Sequence, residues 1–274
     1  MGNIKKFFAT KLLWRRRGLG FIPNPYDKRD FVYDYKNKGD VFPETSSLEL
    51  YSEVVDQLNT SSCVGNALAG AIRILENKKQ HEKNNYKYSY PSRMFLYWNS
   101  RALHDVIPLK DDGTYIRTCC KGLMKYGVPD EIDWPFIKSK VNRKPIFNTW
   151  MRADARKGGE YFAIFDSGKY RINAIMTAIC DGYPVIFGTQ ISDSFMSPIG
   201  DTVIYKPKFS DVIVGNHCMV IVGYRVVLGN IQFRVMNSWG KYWRDYGYCW
   251  LDSDYVASSK SRDFTIIKGW MNLG

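Results

Sequence analysis

The chain has 274 residues, 45% of them hydrophobic and 24% charged, and a formal net charge of +12 at pH 7. Those proportions describe a globular protein of one or two domains and exclude global disorder, collagen and a coiled coil. No apolar run reaches the roughly 18 residues that a membrane-crossing helix needs.

Half of the excess charge sits at the N-terminus. Residues 1–20 carry Lys5, Lys6, Lys11, Arg15, Arg16 and Arg17 and no acid. Ile4, Phe8 and Leu12 fall four apart with Phe7 beside them, which predicts a basic amphipathic helix. Lys11 breaks the apolar stretch and argues against a secretory signal, and Lys6 stands where a myristoylation motif wants Ser or Thr. The acid-free composition also fits an organelle transit peptide. The reading favoured is an arm that docks on a partner protein or on an anionic surface, nucleic acid and membrane both included.

Residues 21–45, rich in Pro, Asp and Tyr, have no helical period and read as an extended strap. It is either packed permanently on the body or removed as a short prosegment. Ser61 or Ser62 then caps a predicted helix over 63–76, with Val64, Leu68, Ala71, Ile72 and Leu75 on one face. Further helices are predicted over 92–103, over 114–126 with a stop at Gly127-Val128-Pro129, and over 169–180. A strand over 184–189 follows. Runs 217–227 and 231–237 form a hairpin joined at Gly229-Asn230, and 246–251 is a last strand. Helices first and antiparallel strands later make the class α+β with two lobes.

Of six cysteines none forms a Cys-x-x-Cys pair, and His81, His104 and His217 are far apart in sequence. No metal site or cofactor is expected, and the pattern reads as a reduced, intracellular protein. Cys63 lies in the first turn of a helix, where backbone N–H groups favour a thiolate, although a buried small hydrophobe is the more common fate of a lone Cys. A nucleophilic Cys needs a base and an orienter for it. His217 heads an apolar strand, Asn237 ends the next one, and Gln57, six residues before Cys63, can supply an amide donor for an oxyanion.

The stretches Asp56-Gln57 to Ser62-Cys63, Gly215-Asn216-His217 and Asn237-Ser238-Trp239-Gly240 together resemble the papain family of cysteine peptidases in order and flanks. Pro91-Ser92-Arg93, the stretch from Asp112-Gly113-Thr114 to Pro129, Asp181 to Val185, and Asp245 to Tyr248 are similar to a compact branch from bacteria and large viruses. The resemblance spans roughly residues 21–267. It implies a helical lobe over about 46–150 and a barrel-like β lobe over about 151–267, with the site between them and a tail over 268–274. It also implies Cys63 as nucleophile, His217 as base and acid, Asn237 as orienter, Gln57 at the oxyanion, and Trp239 covering the Asn–His contact. Cys218, Asn216 and Trp239 would line the substrate site, with Cys218 giving an apolar patch. Val64 and Thr60 stand where the family has an aromatic and a disulfide-bonded Cys. The usual glycines of the preceding loop are replaced by Leu58, Asn59, Ser61 and Ser62.

The expected function is therefore a thiol endopeptidase acting on protein or peptide substrates, intracellular or virion-associated. The contrasting expectation is a catalytically retired body kept as a docking part of an assembly such as a virus particle. A third is a Cys-His amidase of cell-wall peptides, for which no wall-binding repeat is visible.

Overall fold

The computed structural model describes residues 17–35, 41–83, 89–105 and 109–270. The arm up to residue 16 and the tail after residue 270 lie outside the described residues. Helix α1 (Cys63–Lys83) is the spine of the helical half. It begins where Ser62 O accepts the Asn66 N–H at 3.0 Å, and its apolar face from Val64 to Leu75 is buried. It runs two turns beyond the predicted end, because its last residues are polar and carry no apolar period. Helix α2 (Arg93–Ala102) is capped by the Ser92 side chain, which accepts from Phe95 N, and α3 (Ile116–Tyr126) ends at Gly127 with φ 72°. A short helix, α4 (Phe147–Asp154), closes this half.

The second half is an eight-stranded sheet made of β1 (Thr45–Ser47), β2 (Glu160–Ile164), β3 (Val185–Ser192), β4 (Val203–Ile204), β5 (Ile213–Val227), β6 (Asn230–Met236), β7 (Tyr248–Asp252) and β8 (Ser261–Lys268). The order is β2-β8-β3-β5-β6-β7-β4, with β1 on β5. Every pairing is antiparallel except β4 with β7. Helices α5 (Gly168–Cys180), α6 (Asp193–Met196) and α7 (Ser253–Ala257) complete the fold. The β5–β6 hairpin turns at Leu228-Gly229, one residue earlier than expected; both have positive φ, the geometry that suits a two-residue hairpin loop. Leu68, Ile72 and Leu75 of α1 share one core with Val185, Val220 and Val235 of the sheet. This is the expected α+β architecture.

A buried polar cluster also reaches the C-terminal end. Arg156 pairs with Glu76, which accepts from Trp270 Nε1 at 3.0 Å, and with Asp130 at 2.7 Å.

Candidate active site

Cys63 opens α1, His217 and Cys218 lie on β5, and Asn237 follows β6, so the pairing of β5 with β6 sets His217 beside Asn237. His217 is fully buried, and its Nε2 lies 2.7 Å from Asn237 Oδ1. That oxygen also accepts Ser238 N–H at 2.8 Å, which settles the orientation of the amide. An oxygen can only accept, so Nε2 carries the imidazole proton and Nδ1 is the basic nitrogen. Among the described residues Nδ1 has no hydrogen-bond partner, and no hydrogen bond joins it to Cys63. The Trp239 ring stacks on the imidazole at 4.6 Å between centroids.

The loop before Cys63 is laced to the strand end that carries Asn237. Gln57 N donates to Ser238 O at 2.8 Å, and Gly240 N donates to Val55 O at 3.0 Å. Ser238 Oγ donates to Gln57 Oε1 at 2.6 Å, so one serine touches both the amide that holds His217 and the amide beside Cys63. In place of the family's glycines and disulfide stands a buried polar knot. Thr60 Oγ1 and Ser62 Oγ are 2.6 Å apart, and Asn66 Nδ2 donates to Ser62 Oγ at 2.8 Å. All six cysteines are free thiols. Among the described residues no cluster of His, Cys, Asp and Glu could hold a metal ion.

The groove is filled by the chain's own N-terminal segment, which the sequence alone did not foretell. Residues 17–20, assigned above to the arm, lie in the site. Arg17 pairs with Asp56 and donates to Leu58 O at 3.1 Å and to Trp239 O at 3.3 Å. Gln57 Nε2 donates to Gly18 O at 3.0 Å and to Thr60 O at 2.8 Å. Thr114 N donates to Gly20 O at 2.8 Å, and Ile22 N donates to Thr114 O at 3.0 Å. Gly18 and Gly20 press so closely on Thr60 O and Ser61 O that a Cβ at either position would collide with backbone. Leu19 leans on Gly215, and the buried Phe21 ring lies over Gly188, the sheet partner of Cys218. The apolar spot expected at Cys218 is thus covered by a ring of the same chain. Asn216 is half-buried opposite Gln190 and makes no side-chain hydrogen bond among the described residues.

Burial under this segment sets the protonation of the site. Desolvation pushes the Cys63 thiol up to about 11, against the pull of backbone N–H groups of Cys218, Gly20, Val64 and Cys63 itself. Desolvation likewise lowers His217 to about 4, with the Asn237 bond opposing. In this closed form desolvation therefore favours the uncharged thiol and imidazole over a thiolate–imidazolium pair. Both charges would be stranded without water.

Residues 51–262 match the family model described as papain family cysteine protease. The chain belongs to that family. It is 33% identical, over 92% of its length and 87% of the relative's, to the uncharacterized peptidase C1-like protein L477 of Acanthamoeba polyphaga mimivirus. Among solved structures it is similar to xylellain, a cysteine protease from Xylella fastidiosa, with a TM-score of 0.81, 29% identity and coverage of 92% of this chain and 96% of that one. Digestive procathepsin L 3 of Tenebrio molitor shares the fold at a TM-score of 0.68 and 17% identity, over 93% of this chain and 77% of that one. No described helix of this family member is long and apolar enough to cross a membrane.

Proposed function

We propose that the chain is a thiol endopeptidase with Cys63 as nucleophile, held shut by residues 17–22. One observation carries the reading: an extended peptide already lies across Cys63, with a carbonyl on the Gln57 amide and a backbone N–H at the thiol. When that segment leaves, water enters and removes the desolvation that raises Cys63 and lowers His217. The proton then passes from Cys63 Sγ to His217 Nδ1. The thiolate attacks the substrate carbonyl carbon, and the oxyanion accepts hydrogen bonds from Gln57 Nε2 and from Cys63 N. His217 gives its proton to the leaving amine, the C–N bond breaks and a thioester remains. A water deprotonated by His217 attacks the thioester, the C–S bond breaks and Cys63 returns. Asn237 keeps Nδ1 aimed at the sulfur, and Trp239 keeps water off the His–Asn bond. Cys218 and Asn216 line the substrate groove.

The segment is bound but not poised for cleavage. Attack needs one peptide unit to present its carbon to the sulfur and its oxygen to the oxyanion donor. Here the oxygen on Gln57 belongs to Gly18, while the group at the sulfur is the N–H of Gly20. The test is labelling of Cys63 by an epoxysuccinyl peptide across about pH 4 to 9, before and after any shortening of the N-terminus. Labelling near pH 5–6 that is absent in Cys63→Ala and His217→Ala supports the reading. Labelling that rises only near the free-thiol pKa of about 8.5 and ignores His217 leaves the other reading, a closed body kept for docking in an assembly such as a virus particle. The free thiols and the mimivirus relative support an intracellular or virion-associated setting, which mass spectrometry of purified particles checks. The basic arm would then dock on a partner protein or an anionic surface, and co-sedimentation at rising salt tests it.

A further inference from the structure

The helical half contains a cavity of about 430 Å³ that no part of the peptidase site uses. Its walls are aromatic. Trp150 meets Trp98 edge-on at 6.0 Å and Tyr126 at 5.0 Å, and Phe147, 74% exposed, stands at the mouth. A mere packing void would be apolar throughout, yet Asn99 lines this one, is 2% exposed, and among the described residues has neither its amide nitrogen nor its oxygen hydrogen-bonded. The buried Trp98 Nε1 likewise has no partner among them. Leaving such groups unmet is costly, so unmet polar groups lie directly behind the aromatic wall.

The rim is cationic. Lys138, Lys140, Arg143 and Lys144 fall within seven residues that contain no acid, and Lys144 borders the cavity. This loop is held in place from below, since the buried Arg101 donates to Asn142 Oδ1 at 2.7 Å and also bonds Val141 O. Helix α4 starts at the same mouth, and its N-cap residue Ile146 has no side-chain capping bond, so its first N–H groups add positive potential.

We propose that this cavity is a docking site for an acidic peptide segment of another protein, which inserts one aromatic side chain. The ring would be boxed by Trp98, Trp150 and Tyr126, in edge-to-face geometry. Flanking carboxylates would meet Lys144 and its neighbours. The site stands independently of the peptidase reading.

The test uses the full chain carrying Cys63→Ala, so that no probe is cut. Fluorescence anisotropy follows a labelled peptide of the order Asp-Glu-Asp-Trp-Asp-Glu. Binding is expected to weaken roughly tenfold or more when Trp in the peptide becomes Ala, and likewise in Phe147→Ala, in Lys144→Glu and at high salt. Both variants change exposed residues, so loss of fold does not explain a loss of binding. No binding at about 1 mM peptide, equal binding of the Ala peptide, or unchanged binding in Phe147→Ala overturns the proposal. Displacement of nothing by the peptide but tight binding of a thymidine hexanucleotide overturns it too.

Discussion

The two ends of the N-terminal segment are attached by different physics. From Asn24 to Tyr33 the anchors are buried side chains joined by two backbone bonds. Arg117 forks onto Asp30, with Nε 2.9 Å from both carboxylate oxygens, and both partners are largely buried. Tyr33 OH donates to Asp181 at 2.8 Å, and Ala163 exchanges backbone bonds with Phe31 and Tyr33 at 2.7 and 2.9 Å. From Arg17 to Ile22 the segment's own bonding groups are mostly backbone, the Gly18 and Gly20 carbonyls and the Ile22 N–H, beside one partly exposed ion pair and two glycines with no room for a side chain. The first half is built as part of the body. On the peptidase reading the second is an occupant, held by shape and replaceable by another extended chain.

The largest expected effect breaks the permanent half. Arg117→Ala strands the buried Asp30 carboxylate and should lower unfolding stability by about 3–5 kcal/mol, read as a drop in urea midpoint. A midpoint that does not move would mean that the segment's distal half is not part of the folded body. The occupant half should respond in the opposite way. Gly20→Val drives a side chain into Ser61 O, so the segment should leave while the body stays folded. Epoxysuccinyl labelling of Cys63 near neutral pH should rise on the order of a hundredfold, equivalent to about 2.7 kcal/mol of lost closure. If labelling stays slow while stability falls, the two halves are one unit.

Titration sharpens the comparison further. With His217 at about 4 rather than 6.5, the unfolded chain binds a proton between those values that the closed form does not. Stability of the closed form is therefore unaffected by His217 above pH 6.5 and weakens as pH falls toward 4, by at most about 1.4 kcal/mol per unit. Cys63, raised from 9.0 to about 11, acts at the other edge, so that stability weakens again as pH rises through that range. Stability measured against pH should show a plateau between the two edges, and Gly20→Val should flatten both. The smallest effect belongs to Arg17→Gln, which removes a pair whose partner Asp56 is 38% exposed. It should cost about 0.5–1 kcal/mol of closure, a few-fold gain in labelling that added salt partly reproduces in the wild-type chain.

Much of the site was legible because its members sit in short, chemically distinctive stretches. Gln57 and Cys63 share one loop, and His217 and Asn237 lie on neighbouring strands whose hairpin signal, Gly229-Asn230, is visible in the chain. The occupation of the groove was not legible. Gly18 and Gly20 look like the trailing end of a basic arm, and their fit against Thr60 and Ser61 is a property of two distant backbones rather than of any local pattern. Nor could the last turns of α1 be read, since the residues from Asn77 to Lys83 are polar and stay helical by extending a packed helix. Asn99 was invisible for the opposite reason. Within the run of Met94 to Arg101 it looks like a helix-surface residue, and only packing shows that it is buried without a partner.

The Gln57 side chain carries a last consequence. Its amide has two protons, and both are engaged, one by Thr60 O within its own loop and one by Gly18 O of the occupying segment. Its oxygen is held by Ser238. Departure of residues 17–22 therefore releases a single donor proton that is already aimed by contacts which remain. On the peptidase reading, opening is a subtraction: the loop that would receive substrate needs no new rotamer, turn or strand, and the barrier to activity lies in clearing the groove rather than in building it.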